Sequence, residues 1–408
     1  MSMELFMGFI DCDTHVTETD ATWDYFDPKE RLYRPRLVNA ESSDRGGAPA
    51  PKFWLAGDTW TRRVPDDGNI FGNGNTYSQG TITLDNPAAR LQDMDALGID
   101  AQVLISTFWI AIEIDHPIEE AALCRSYNRW MAERLTGHTS RLPWLMRVPF
   151  KMHSRAIEEM EFGKANGAVG IQFRGVEHGM YLSDPAFYPI YERAQDLDLT
   201  IAVHVGTATR RTTGIPVGKL IPSPPTLLRH LHDLMSAFHA VTASDLHLQF
   251  PRLKFVFLEG GASWVPSVVH THARLQASAG EFMRVNPMSA DEIASKNIFV
   301  ACEGDEDIDY LLNVVGDDVL CAGSDYGHND AGTELGVHTS ILGRADISAN
   351  QARRIVDGNG RRLFGISPDF RPAPDMPKHI DPPHVFASKD GGRPLLVVQS
   401  GAADVDRR

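Results

Sequence analysis

Eight apolar, β-branched runs recur along this chain, and from residue 86 onward they alternate with amphipathic helical stretches. The runs span residues 9–16, 101–107, 142–150, 168–174, 200–206, 254–259, 297–303 and 319–325. Continuous apolar runs of this length are typical of strands that are buried on both faces. Eight strand–helix units in order predict an α/β fold, the (β/α)₈ TIM barrel. The alternative is a doubly wound open sheet, but no GxGxxG motif follows the first run to support a dinucleotide site.

The helical patterns and the remaining segments define the domain organisation. Helices are predicted over 86–100, 119–135, 184–199 and 348–365, and the last ends at Gly365, a typical helix stop. Residues 17–85 are rich in Gly, Pro, Asp and Asn, and residues 367–408 are rich in proline. We predict one barrel domain over 1–366, in which 17–85 is an insertion after the first strand that serves as a lid, substrate wall or subunit contact. Residues 367–408 are predicted to form an extended C-terminal arm and tail.

Composition narrows the possible partners. The 408 residues carry a formal net charge of −15, which argues against nucleic-acid binding and against anionic membrane surfaces. The chain has no run of about 18 apolar residues and no signal-peptide pattern at its start. Its four cysteines lack CxxC spacing, as expected for free thiols in a reducing cytosol, so we predict a cytoplasmic protein.

Several of the predicted strands end in residues of the types that commonly bind metal ions. Asp13 and His15 end the first run, His204 the fifth, Glu259 the sixth and Asp325 the eighth. Residues two apart on a strand share a face, and catalytic groups of a barrel gather at the C-terminal ends of its strands. Each residue alone has a structural alternative, such as a buried core histidine or a helix-capping aspartate. Together they favour a site for a borderline or hard divalent cation.

These residues lie within segments that resemble the amidohydrolase superfamily, in the branch of aminocarboxymuconate-semialdehyde decarboxylase and the γ-resorcylate-type decarboxylases. The resemblance covers roughly residues 8–366 and rests on FIDCDTHV, RLQDMDALGIDAQVLIST, TIAVHVG, FPRLKFVFLEGGASWVP, GSDYGH and RRIVDGNGRRLFGI. It implies one divalent metal ion in a (β/α)₈ barrel. The implied ligands are Asp13, His15, His204 and Asp325, and Zn²⁺ is the expected ion.

Two departures from the family pattern bear on the chemistry. The first ligand pair is often His-x-His in this family, whereas here it is Asp13-x-His15, and the added carboxylate makes Mn²⁺ an alternative to Zn²⁺. Many members end the sixth strand in His-Gly-Gly, where this chain has Glu259. Proton transfer is therefore assigned to Asp325 or Glu259 as catalytic residues, with His239 as a further candidate that could equally be a helix-packing histidine.

Other polar and aromatic residues follow the strand ends closely enough to meet a substrate. Arg174 ends the fourth run and Arg210 follows the fifth, so both are candidates to bind a substrate carboxylate. Trp109 and Trp264 are candidates to wall an aromatic pocket, and His328 is a further candidate for substrate contact. Each of these residues has the alternative of a solvated loop or an ordinary buried position. Glu303, at the end of the seventh run, is a weaker candidate to orient a metal-bound histidine.

The same ligands serve two reactions, so the motif leaves the function open. The resemblance favours a metal-dependent decarboxylase that acts on an aromatic or unsaturated carboxylic acid. The alternative is a hydrolase of an amide, ester, lactone or C–C bond that uses a metal-activated water. A barrel that only binds or regulates would be expected to have lost ligands, and this chain retains all four. The expected partner is a small carboxylic acid, and the resemblance with the proline-rich arm favours a homodimer or larger oligomer.

Overall fold

A parallel sheet of eight strands forms the centre of the computed structural model, which describes residues 8–39, 51–66, 77–206, 224–278, 288–329 and 332–370. Each strand pairs with the one that follows it in the sequence. The strands are β1 (Ile10–Val16), β2 (Ala101–Ser106), β3 (Trp144–Met146), β4 (Ala168–Arg174), β5 (Thr200–His204), β6 (Phe255–Leu258), β7 (Ile298–Cys302) and β8 (Leu320–Ala322). Beyond β8, a parallel bridge joins Tyr326 to Thr14 and brings the last strand back to the first. The predicted (β/α)₈ barrel is confirmed.

Helices follow the strands around the sheet. The main ones are α1 (Pro87–Leu97), α2 (Pro117–Arg134), α3 (His153–Ala165), α4 (Tyr188–Asp196), α5 (Pro224–Ala243), α6 (Val265–Ser278) and α7 (Ile308–Val315). The last helical segment runs through Ala349–Arg353, a π-helical turn at Arg354–Gly358, and Asn359–Phe364. It ends at Gly365, whose left-handed φ of 67° is the expected helix stop. Shorter helices lie at Phe108–Ala111, Leu246–Gln249, Ala290–Ser295 and Val337–Leu342.

Apolar side chains cover both faces of the barrel strands. On β5, Ile201 and Val203 belong to a large core that includes the helices, whereas Ala202 belongs to a second core built mainly from the strands. This second core is closed by Leu363 and Phe364 of the last helix. Burial on both faces explains why the strands read as continuous apolar runs in the sequence.

The insertion after β1 is partly ordered into a small sheet. Strands Arg36–Asn39, Lys52–Ala56 and Thr59–Arg62 pair in antiparallel order. Buried Trp54 contacts Trp23 edge to face at 6.0 Å, and Trp23 lies 4.9 Å from Phe108, just beyond β2. The insertion therefore packs on the C-terminal side of the barrel. These three strands were not predicted, because they are short and partly exposed.

Two predictions fall largely or wholly outside the described residues. The C-terminal arm predicted over 367–408 is described only to residue 370, and Arg210 lies in a segment that is not described. Among the helices that are described, none is long and apolar enough to cross a membrane.

Candidate metal centre

Side chains from three barrel strand ends form two overlapping buried groups that share His15: Asp13 with His15 and His204, and His15 with Asp325 and His328. The Nε2 atoms of His15 on β1 and His204 on β5 lie 3.2 Å apart. Asp13 Oδ1 lies 3.4 Å from the first of these nitrogens and 3.5 Å from the second. Asp325 Oδ1, which follows β8, lies 3.2 Å from His15 Nε2. Ligands bound at about 2.1 Å around a tetrahedral ion lie about 3.4 Å apart, so these separations suit a shared cation.

The residues on β1 are aimed by an irregularity in the strand. The pairing of β1 with β2 shifts register between Asp11 and Thr14. Irregularities of this kind re-aim neighbouring side chains and are frequent beside active sites. The Asp13 carbonyl accepts a hydrogen bond of 2.9 Å from Asp325 N, and His15 N donates one of 2.5 Å to the Tyr326 carbonyl. These bonds tie the first and last ligands to each other through the backbone.

The backbone at Asp325 is strained in a way that serves the site. Its φ is 53°, in the left-handed region that non-glycine residues rarely adopt. Thr333 Oγ1 donates a hydrogen bond of 2.8 Å to Asp325 Oδ2. This bond fixes one carboxylate oxygen, so the other is directed towards His15.

His204 is oriented to offer a nitrogen lone pair. Its Nδ1 lies 2.8 Å from the Val205 carbonyl, so Nδ1 carries the proton and donates it, and Nε2 faces the cluster. Glu259 Oε2 lies 3.0 Å from this Nε2, and the Glu259 backbone has a left-handed φ of 55°. Burial alone would lower the pKa of His204, but Glu259 and Asp13 raise it well above its ordinary value. The cluster therefore attracts positive charge.

Asp13 provides the test of whether a cation fits. Burial alone would raise the pKa of Asp13, but His204 and His15 hold it below its usual range, so the group is a carboxylate. Its Oδ1 is buried and receives no hydrogen bond from any described residue. An ionised, buried oxygen beside two imidazole nitrogens needs a compensating charge. A divalent ion would supply that charge, and Asp13, His15, His204 and Asp325 are its candidate ligands.

His328 lies against the same cluster. Its ring stacks on His15 with centroids 3.7 Å apart, and its Nδ1 lies 3.0 Å from Asp325 Oδ1. Its Nε2 lies 3.0 Å from Thr107 Oγ1, and its carbonyl accepts a hydrogen bond of 2.5 Å from the Tyr77 hydroxyl. The structure thus places His328 where it can bind or orient a ligand of the ion, a more central position than the substrate contact predicted for it.

A narrow cavity opens beside the cluster. Its polar lining consists of Asp13, Asp325, Glu259 and Glu303. Burial raises the pKa of Glu303 to about 7, with further contributions from Glu306 and other nearby carboxylates. Glu303 is thus a carboxyl group at the cavity wall whose pKa lies close to neutral pH. The orienting role predicted for Glu303 towards a ligand histidine stays a prediction.

The Arg174 guanidinium group is hydrogen-bonded to other residues of the protein. Arg174 Nη1 donates to the Ile112 carbonyl, and Nη2 donates to Glu177 Oε2 at 2.5 Å. The side chain is 1% exposed. The prediction that Arg174 binds a substrate carboxylate relied on these two nitrogens, and here both bond to protein oxygens.

Three other predicted residues make packing contacts in the core or between helices. His239, on α5, contacts His272 of α6 at 3.1 Å, which is the helix-packing alternative. Trp264 donates a hydrogen bond of 2.8 Å to the Gly261 carbonyl and packs on Phe238. Trp109 is 1% exposed, beside the Arg147 guanidinium. Both tryptophans are core residues in this structure, and their substrate roles stay predictions.

Thr107, Thr333 and Tyr77 hold the site in place but were missed in the sequence. Thr107 had one available signal, since it is the last residue of the predicted run 101–107 and directly follows β2. Thr333 and Tyr77 lie in irregular segments, so only the fold brings them to the ligands.

Comparison with known proteins agrees with this geometry. The sequence profile of the family described as amidohydrolase matches residues 10–366. A 2-amino-3-carboxymuconate-6-semialdehyde decarboxylase from Dictyostelium discoideum is 22% identical over 295 residues, which cover 70% of this chain and 78% of the relative. An amidohydrolase from Mycobacterium avium subsp. paratuberculosis superposes with a TM-score of 0.72 at 18% identity, covering 88% of this chain and 99% of that one. A 5-carboxyvanillate decarboxylase from Novosphingobium aromaticivorans, complexed with manganese and a substituted benzoic acid, superposes with a TM-score of 0.58 at 18% identity, covering 90% and 98%.

Proposed function

Because the chain belongs to the amidohydrolase family, we propose that it is a metal-dependent decarboxylase of an aromatic or unsaturated carboxylic acid. The observation that carries the proposal is the gathering of Asp13, His204 and Asp325 around His15 Nε2, at 3.2 to 3.4 Å, beside a cavity. The choice of decarboxylation is supported by the relatives, which include enzymes that release CO₂ from carboxymuconate and carboxyvanillate compounds.

The ion would be held by Asp13, His15, His204 and Asp325. When bound, a divalent ion supplies Lewis-acid chemistry that polarises a substrate oxygen. Zn²⁺ and Mn²⁺ both suit the set: two imidazoles favour Zn²⁺, while the carboxylates and the manganese-bound relative favour Mn²⁺. Nearby His328 would keep the His15 ring in place by stacking on it.

The carboxyl groups at the cavity would move the proton. Asp325 is the better placed donor, because Thr333 fixes one of its oxygens and the other lies among the ligands. Asp325 would give a proton to the carbon that bears the substrate carboxylate. The bond from that carbon to the carboxylate then breaks, CO₂ leaves, and the bonding electron pair restores the unsaturated system. Glu259, with 15% of its side chain exposed, is the second candidate for this step.

The test is CO₂ release from a panel of hydroxybenzoates and unsaturated carboxylic acids, with protein loaded in turn with Zn²⁺ and Mn²⁺. Asp325→Asn should lower turnover by about 10²-fold or more while leaving the folded state intact. The control is Glu192→Gln, which removes an exposed carboxylate on α4 and should leave turnover unchanged. Full activity of Asp325→Asn would refute the assigned proton transfer. Turnover of esters or lactones without CO₂ release would favour the hydrolase instead.

A further inference from the structure

A second group of metal-binding side chains lies on the loops that follow β2 and β4. Glu113 and Asp115 precede α2, and His178 lies in the turn of a small hairpin, Val176–Glu177 with Met180–Tyr181. One ligand atom from each residue lies within 4.8 Å of the other two. We propose that these three residues form a second divalent-cation site. It shares no residue with the ligand cluster of Asp13, His15, His204 and Asp325.

The His178 ring points to a ligand at this place. Its side chain is 3% exposed, and its Nδ1 makes no hydrogen bond to any described residue. The closest carboxylate atom is Glu113 Oε1 at 3.9 Å. That separation is too long for a hydrogen bond, but it lies between the spacings of about 3.4 Å and 4.2 Å expected for tetrahedral and opposed ligands of one ion.

A buried carboxylate sets the orientation of the ring. His178 Nε2 lies 2.8 Å from Glu120 Oε1, and the Glu120 side chain is 1% exposed. Since the carboxylate accepts a hydrogen bond, the ring proton is on Nε2 and the lone pair is on Nδ1, directed towards Glu113. The arrangement of carboxylate, histidine and ion is the usual one at protein metal sites. His178 also has a left-handed φ of 51°, a strained conformation that the hairpin imposes and that holds the ring at this point.

Two cations lie beside the carboxylates of Glu113 and Asp115. Lys151 Nζ lies 3.6 Å from Asp115 Oδ1, and Arg174 Nη2 lies 3.7 Å from Glu113 Oε2. These cations partly neutralise the carboxylates and would compete with a metal ion. The Asp115 side chain is 38% exposed, so the ion has access from solvent on the Asp115 and Lys151 side. One imidazole and two carboxylates are a donor set that suits Zn²⁺.

An ion at this position would link two loops of the catalytic face. The segment before α2 also supplies the Ile112 carbonyl to Arg174, and Arg174 bonds to Glu177 of the hairpin. Binding at Glu113, Asp115 and His178 would therefore rigidify the surroundings of Arg174. We expect the bound ion to raise the thermal stability of the whole chain by mass action.

The experiment is a Zn²⁺ titration of chelator-treated protein, read by calorimetry, by elemental analysis and by thermal melting. It uses the His204→Ala background, so that the ligand cluster on β1, β5 and β8 does not contribute its own ion. In this background the chain should bind about one Zn²⁺ and melt at a higher temperature. Asp115→Asn should weaken binding by at least 10-fold, and Glu120→Gln should weaken it about 10- to 100-fold. The matched control is Asp309→Asn, which replaces an exposed aspartate on α7. This variant should bind Zn²⁺ with the same affinity as the His204→Ala background.

Lys151→Gln separates a metal site from an ordinary ion-pair network. If an ion binds here, removal of the competing cation should tighten Zn²⁺ binding several-fold. An ion-pair network would only lose stability on this change. No saturable Zn²⁺ binding in the His204→Ala background, or equal binding by Asp115→Asn and Asp309→Asn, would overturn the proposal. Asp115→Asn and Lys151→Gln alter side chains that reach the surface, so the result does not depend on replacing buried His178.

Discussion

Replacement of Glu177 by glutamine should destabilise the folded chain strongly. Glu177 is fully buried, and Arg147 reaches both of its oxygens at 2.8 and 2.9 Å, while Arg174 adds a third bond. Burial alone would raise the pKa of Glu177, but Arg147 and Arg174 lower it from 4.5 to about 2. A carboxyl group with that change on folding contributes about 3 kcal/mol at neutral pH. Glu177→Gln should cost about 3 to 5 kcal/mol, because it leaves the buried Arg147 guanidinium without its counter-charge and leaves Arg174 only the more distant Glu113 at 3.7 Å.

Urea unfolding at pH 7 measures this loss, with Glu161→Gln as the matched control. Glu161 pairs with Arg193 at 2.7 Å but is 54% exposed, so its replacement should cost less than about 1 kcal/mol. The contribution of the ionised Glu177 is present above pH 4.5 and is lost as the pH falls towards 2, so the two variants should converge with the unsubstituted protein in acid. Equal urea midpoints for Glu177→Gln and Glu161→Gln at pH 7 would refute the reasoning.

Three further predictions concern the site and its surroundings. Burial raises the pKa of Glu18 to about 7, so the unsubstituted chain should lose stability as the pH rises from about 4.5 to 7. Glu18→Gln should flatten that decline when melting temperature is measured against pH, and a parallel decline in the variant would contradict this. Gly323→Ala would place a Cβ atom 2.5 Å from Asp13 Cβ and should weaken metal binding. The control Gly358→Ala adds a Cβ atom with nothing within 4 Å and should leave metal binding unchanged. Equal metal affinities of the two variants would disprove the packing argument. Thr333→Val removes the hydroxyl that holds Asp325 and should weaken metal affinity about 10- to 100-fold, whereas Thr333→Ser should restore it. Calorimetry with Mn²⁺ measures the affinity, and an affinity of Thr333→Val equal to that of the unsubstituted chain would count against this role.

The barrel was predictable, and its candidate metal ligands could be proposed, because both leave local patterns in the sequence. A strand buried on both faces requires a continuous apolar run, so polar side chains such as His15 and His204 stand out at its end. The resemblance to the amidohydrolase superfamily, drawn from the same segments, is confirmed by the profile match over 10–366. Decarboxylases among the relatives agree with the favoured reaction, although the specific substrate stays a proposal.

The rest depends on contacts between distant segments. Arg174 stands at a strand end like the ligands, but its environment is decided by Glu177 three residues later and by the Ile112 carbonyl on another loop. His328 reaches the ligand cluster only because the chain turns back after Asp325 and stacks it on His15. Neither arrangement leaves a periodic signal in the sequence.

The metal content of the purified chain tests the central claim most directly, when it is measured by elemental mass spectrometry beside the His204→Ala variant. We expect the unsubstituted chain to carry about one more Zn or Mn ion per chain than His204→Ala, because the variant loses an inward-facing imidazole nitrogen. Equal metal content in the two proteins after reconstitution with Zn²⁺ or Mn²⁺ would contradict the assignment of Asp13, His15, His204 and Asp325 as a metal centre.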